Sequence, residues 1–208
     1  EISLGLVGSE MCIRDRLNAA WYSTTEGETP KIKLMDSTGR EIKTYEGVQS
    51  VDTDVETVVD NGTTYTLYPC KVTVTDLTEN TSYQYQYYVN GAWSDTYSYK
   101  TQSTESFSIM YVGDPQIGAS TGQIKGENKE YFAMNDSYNW YHTLNNAVSK
   151  FPDLSFIMSA GDQINQSSVS KDADKLEQQI EYAGFLNPTV LRSLPVCLLY
   201  TSPSPRDR

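Results

Sequence analysis

Phe107-Ser-Ile-Met-Tyr-Val-Gly-Asp114-Pro-Gln116 and Leu154-Ser-Phe-Ile-Met-Ser-Ala-Gly-Asp162-Gln163 are two apolar runs with the same ending. Each reads as a buried parallel strand that stops at Gly-Asp. Neighbouring strands lie about 4.8 Å apart, so two acids at their carboxyl ends can share a metal ion or bridge two of them. In open α/β sheets ligands gather at that end of the strands. A single Gly-Asp is also an ordinary strand terminator, since both residues form turns. Its recurrence at equivalent places points instead to a site.

Around these runs the order is strand, loop, helix, strand. A Gly- and Asn-containing loop extends to about Asp136, and Trp140, Leu144, Ala147, Val148 and Phe151 then recur at helical spacing until Pro152. That order predicts a crossover unit with a parallel pair. A second helix is expected near residues 171–183 with Leu176, Ile180 and Ala183 inward, and Leu194-Pro-Val196 starts a third strand.

The segment before it is written differently. From Ala19 to about Thr101, tyrosine, threonine and valine alternate with polar residues and turns interrupt them. Val72 and Val74 share one face, as do Tyr83, Tyr85, Tyr87 and Val89. Asn90-Gly91 predicts a type I′ hairpin turn, followed by Trp93, Tyr97 and Tyr99 on one parity. The expectation is an antiparallel sandwich joined to the α/β part by a polar linker, residues 101–106. Half-buried strands favour tyrosine for structural reasons alone, and a carbohydrate-binding platform is the alternative use of such strands.

The chain has 208 residues, 38% of them apolar, enough for one large or two small domains in a soluble globular protein. A net charge of −11 argues against a nucleic-acid groove, which needs a concentrated positive field. No apolar run has the roughly 20 residues a membrane span requires, and the start lacks the features of a signal peptide. Cys12, Cys70 and Cys197 form neither a zinc-binding pair nor a disulfide framework. The flanks, residues 1–16 and 197–208, both close on Arg-Asp-Arg and read as non-native sequencing-adapter read-through. The natural protein is then expected over residues 17–196, cut at both ends.

Leu77-Thr-Glu-Asn-Thr81-Ser-Tyr83 resembles the corner of fibronectin type III domains in which a tyrosine hydroxyl caps the preceding loop, with Glu79 in place of the usual proline. Trp21 would fill the core tryptophan position. The two Gly-Asp strands, the intervening helix and the Ser-Leu-Pro-Val start of a third strand resemble calcineurin-like metallophosphoesterases. Together with the sandwich they look like the purple acid phosphatase architecture. The resemblance implies two domains: an all-β fibronectin III-like sandwich over residues 17–101, and the truncated first part of an α/β metallophosphoesterase domain over residues 107–196.

By that likeness Asp114 binds one metal and Asp162 bridges both ions of a dinuclear centre. The ions are divalent or trivalent, Fe, Zn, Mn or Mg, and the substrate is a phosphate ester attacked by a metal-activated water. Gln116 stands where most of the family has a histidine, as a weaker ligand or a neighbour of the ligands. Asn165 stands beside the ligands where the purple enzymes have a metal-bound tyrosine. The Gly-Asn-His motif expected after the third strand is absent, and the lone His142 lies off the apolar stripe of its helix. The chain therefore carries no catalytic histidine, and as written is expected to be an inactive fragment of a hydrolase. An extracellular or cell-surface location follows from the resemblance alone. The Asn-x-Ser/Thr triplets at Asn61, Asn80, Asn135 and Asn165 matter only in a eukaryotic secretory pathway, and chance explains them equally well. Two other readings remain: a surface adhesion protein whose α/β unit is only a support, and a different Mg²⁺-dependent α/β fold.

Overall fold

The structure is a computed structural model. It describes residues 5–6, 15–52, 55–60, 63–103, 105–120, 129–166, 168 and 170–198. The protein is β-rich and divides into two compact units, one ending at Phe107 and also taking in Arg192–Pro195, the other beginning at Ser108.

In chain order the first unit comprises β1 (Gly5–Leu6), β2 (Leu17–Ser23), β3 (Lys31–Asp36), β4 (Glu41–Glu46), β5 (Val48–Gln49) and β6 (Glu56–Asp60). It continues with β7 (Thr63–Val74), β8 (Ser82–Val89), β9 (Ala92–Trp93) and β10 (Tyr97–Lys100). They form two antiparallel sheets, β1-β2-β7-β5 with β6 beside β7, and β10-β8-β3-β4 with β9 beside β8. Strand alternation turns one face of each sheet inward. Leu17, Ala19 and Trp21 of β2 and Cys70, Val72 and Val74 of β7 meet Ile32 and Leu34 of β3 and Tyr83, Tyr85 and Tyr87 of β8 in one core. The Trp21 ring lies 5.3 Å from that of Tyr87. Burial pushes the Cys70 thiol up and keeps it protonated.

Turns in this unit are held by side chains. Asn90 and Gly91 both have positive φ, 52° and 81°, as a type I′ turn requires. Glu28 accepts both of their N–H groups, at 3.0 and 2.7 Å. The Thr78 N–H donates to the Tyr83 hydroxyl oxygen at 2.9 Å, the loop cap expected of that tyrosine. Thr101, read as the start of the polar linker, is buried instead, because its hydroxyl accepts the Thr81 N–H at 3.0 Å.

In the second unit, β11 (Ser108–Val112), α1 (Lys129–Lys150), β12 (Leu154–Ser159), α2 (Asp172–Leu186), the 3-10 turn Thr189–Arg192 and β13 (Val196–Leu198) follow one another. The strand order is β11-β12-β13, all parallel. Three expectations need correction here. The run from Phe107 is not a fully buried strand: β11 lies at the sheet edge, and Tyr111 is 66% exposed. Helix α1 begins at Lys129, not after Asp136, because Phe132 and Ala133 extend the buried stripe backwards and the Ser137 hydroxyl is satisfied by the Gly184 carbonyl at 2.7 Å. Helix α2 is rotated from its expected register: Leu176 is 45% exposed, while Glu177, Glu181 and Phe185 are buried.

Most residues of the expected non-native flanks, including Cys12, lie outside the described ones. Of the rest, Gly5–Leu6 pairs with β2, and Cys197 and Leu198 pair with β12.

The Asp36 turn yields a pH prediction. The Asp36 carboxylate accepts the Thr38 hydroxyl at 2.6 Å and the N–H groups of Thr38 and Arg40 at 2.9 and 3.1 Å, with the Arg40 guanidinium at 3.2 Å. The Thr38 hydroxyl leads in lowering its pKa from 3.8 to about 2, against the opposing effect of desolvation. A depressed folded-state value means the turn's stabilisation is full above the unfolded pKa and is lost as pH falls towards 2. NMR titration of the Asp36 carboxyl carbon is expected to show a midpoint near 2 in wild type and a higher one in Thr38→Ala/Arg40→Ala, which loses the hydroxyl and guanidinium donors but keeps both backbone N–H groups.

Candidate metal-type site at two strand ends

Beyond Val112 and Ser159 the two parallel strands do not simply part. Ala160 N–H donates to the Val112 carbonyl at 2.8 Å, and Gln116 N–H to the Asp162 carbonyl at 2.9 Å. Ile117 N–H then donates to Gln163 at 3.2 Å and Asn165 N–H to Ile117 at 3.0 Å, so pairing resumes as an Ile117–Ile164 bridge. Both isoleucines are buried. Each loop thus leaves the sheet, exposes its aspartate, and returns an isoleucine to the core.

That path forces the backbone into the left-handed region. Asp114, Gln116 and Asp162 have positive φ, at 49°, 40° and 45°. The other non-glycine residues with positive φ among those described, Asp76, Asn80 and Asn90, are Asn or Asp, the types that tolerate this region. Glutamine is not among them, so Gln116 sits in a conformation that its surroundings must impose.

The structure brings Gln116 and Asp162 together through their backbones and sets Asn165 against Ile117; Asp114 lies two residues before Gln116. The side chains of all four residues are exposed. His142 lies apart, exposed on α1 with its ring 4.4 Å from that of Tyr138. The donors offered by the loops are oxygens, suited to a hard cation. By themselves they supply only part of a coordination shell: among the described residues there is no group of three or more His, Cys, Asp or Glu side chains that could hold a metal ion.

Two acids that sequence reasoning missed hold these loops. Asp136 of α1 accepts the N–H groups of Gly118 and Ser120, at 2.9 and 3.1 Å. Glu181 of α2 accepts the Gln166 N–H at 2.6 Å. Asp136 falls at the end of the expected loop and Glu181 lies off the expected inward stripe of Leu176, Ile180 and Ala183, so neither carried a local signal of its role. Behind the loops, Trp140 stacks on Phe185 with ring centroids 5.5 Å apart and donates its N–H to the Phe185 carbonyl at 3.0 Å.

No protein-family model matches the chain, and no curated protein matches it. Among solved structures it is similar to astrotactin-2, described as a conserved vertebrate-specific and perforin-like membrane protein involved in neuronal development. That match has 12% identity and a TM-score of 0.33 over 91% of this chain and 38% of that one. It is also similar to a Bifidobacterium dentium β-glucuronidase complexed with coumarin-3-O-glucuronide, with 10% identity and a TM-score of 0.29 over 92% of this chain and 35% of that one. The chain therefore spans well under half the length of either. At those scores the likeness carries no argument about fold or activity. Among the described residues no helix is long and apolar enough to cross a membrane.

Gly118 gives a test of how tightly the loops are packed. It has φ of 98°, and a methyl group there would collide with Glu181 Oε1. Gly118→Ala is expected to destabilise the second unit by about 1–3 kcal/mol through left-handed strain and displacement of a buried carboxylate. Urea unfolding followed by Trp140 fluorescence measures it.

Proposed function

We propose that this chain is part of a metal-dependent phosphoric ester hydrolase of the calcineurin-like class. Its first unit is then the fibronectin III-like domain of a purple acid phosphatase-like architecture, and an extracellular location goes with that reading. The supporting observation is the pair of strand-end loops. They are joined backbone to backbone, with Asp114, Gln116 and Asp162 held at positive φ and their side chains exposed. Non-glycine residues held in such conformations cluster at ligand sites, where the strain is part of how the site is shaped. Oxygen donors at the carboxyl ends of parallel strands fit the same reading.

In this proposal the loops supply one side of a cation site, and the remaining ligands, histidines among them, come from a part of the natural protein that follows Val196. The natural gene read past Val196 is expected to continue into Gly-Asn-His. A frame lacking that motif and the later histidines overturns the hydrolase assignment.

The 208-residue chain can be tested directly. Two exposed carboxylates attract a single hard cation weakly, with a Kd on the order of 1 mM. Mn²⁺ titration is expected to broaden the amide signals of residues 113–117 and 161–165 first, and Asp114→Asn/Asp162→Asn to abolish the effect. Broadening that persists unchanged in the double variant overturns the assignment of these loops. An aryl-phosphate assay of the same sample is expected to show no turnover, and stoichiometric metal after dialysis together with turnover would refute the incomplete site.

A further inference from the structure

Glu181 is 1% exposed, on a helix whose neighbouring positions offer apolar residues for burial. Burying a carboxylate costs several kcal/mol unless its oxygens are hydrogen-bonded, so a position like this is held by specific partners. One oxygen takes the Gln166 N–H at 2.6 Å, and the other lies against Gly118 so closely that no Cβ fits there. One turn earlier on α2, Gln178 donates its side-chain N–H to the Gln166 carbonyl at 3.3 Å. Both backbone polar groups of Gln166 are therefore held by α2.

That grip is continuous with the site. Gln166 follows Asn165, whose N–H donates to Ile117. Ile117 follows Gln116, whose N–H donates to the carbonyl of Asp162. Across the joint, Asp136 fixes the N–H groups of Gly118 and Ser120 from the side of α1. Asp136 thus holds the first loop and Glu181 the second, and Glu181 also lies against Gly118 of the first.

We infer that Glu181 is a positioning residue: it holds the Gln166 N–H and packs against Gly118, so that the second loop keeps Asp162 in its left-handed conformation with the carboxylate outward. Glu181 itself touches no ligand. The inference rests on the reading of Asp162 as a metal ligand, and it deepens that reading by naming the group that shapes the loop.

The test uses the full chain and the variants Glu181→Gln, Glu181→Ala and Asp162→Asn, with Mn²⁺ alone as the probe. Glu181→Ala is expected to speed amide exchange at Gln166 about tenfold and to weaken Mn²⁺ broadening at residues 161–165 about tenfold, with the signals of the first unit unmoved. Glu181→Gln keeps an acceptor oxygen of the same shape, so it is expected to restore most of both effects. That rescue separates positioning from a requirement for charge; if the alanine variant does not fold, Glu181→Asp, one methylene too short to reach Gln166, takes its place and is expected to show the same losses. If both Glu181 variants match wild type in Gln166 exchange and Mn²⁺ affinity while Asp162→Asn loses the metal effect, the positioning role is refuted and the site reading stands. If wild type shows no Mn²⁺ effect, the ligand reading of Asp162 fails. The exchange rate at Gln166 then decides alone, an unchanged rate refuting the role of Glu181 and a tenfold rise upholding its hold on the loop.

Discussion

The second unit depends on one joint: the backbone bond from Gln116 N–H to the Asp162 carbonyl, continued by the Ile117–Ile164 bridge. Parallel strands normally separate where their loops begin, and each loop then follows its own course. Here the loops remain paired beyond their aspartates, which ties the placement of Asp114 to that of Asp162. The cost is positive φ at three non-glycine residues, and it is offset by burying two isoleucines and satisfying the loop amides with carboxylates.

The same device recurs in the first unit. Glu28 holds the two amides of the Asn90-Gly91 turn, and Asp36 holds those of Thr38 and Arg40. A chain with a net charge of −11 would be expected to spread its acids over a solvated surface. Among the described residues Glu28, Asp36, Asp136, Asp174 and Glu181 instead serve as acceptors for backbone N–H groups in turns and loops. The acidity of this protein is therefore partly architectural, which weakens any direct inference from its charge to a partner.

At the candidate site the chemistry and the geometry are complementary but incomplete. The exposed donors are two carboxylates and two amide side chains, and the only histidine meets a tyrosine edge-on elsewhere on α1. What the loops present is an oxygen-rich edge, held by Asp136 of α1 and Glu181 of α2, helices that are joined to each other through Ser137 and Gly184 and through Trp140 and Phe185.

Alternation and turn chemistry by themselves determined the inward faces of β7 and β8, the Asn90-Gly91 hairpin and the parallel pairing of β11 with β12, while the Tyr83 cap followed from the resemblance of its loop to the fibronectin type III corner. These are local features, set by a two-residue period, by residues that accept positive φ, and by the length of a crossover. The aspartates were legible for the same reason, because Gly-Asp at a strand end is a local pattern. Only the tertiary structure decided that β11 lies at an edge, that α1 starts at Lys129, and that α2 turns Glu177 and Glu181 inward while exposing Leu176. An apolar run reads alike at the centre or edge of a sheet. A glutamate reads as solvated until a loop amide from another part of the chain meets it, and that partner is supplied by the fold, not by the helix that carries the glutamate.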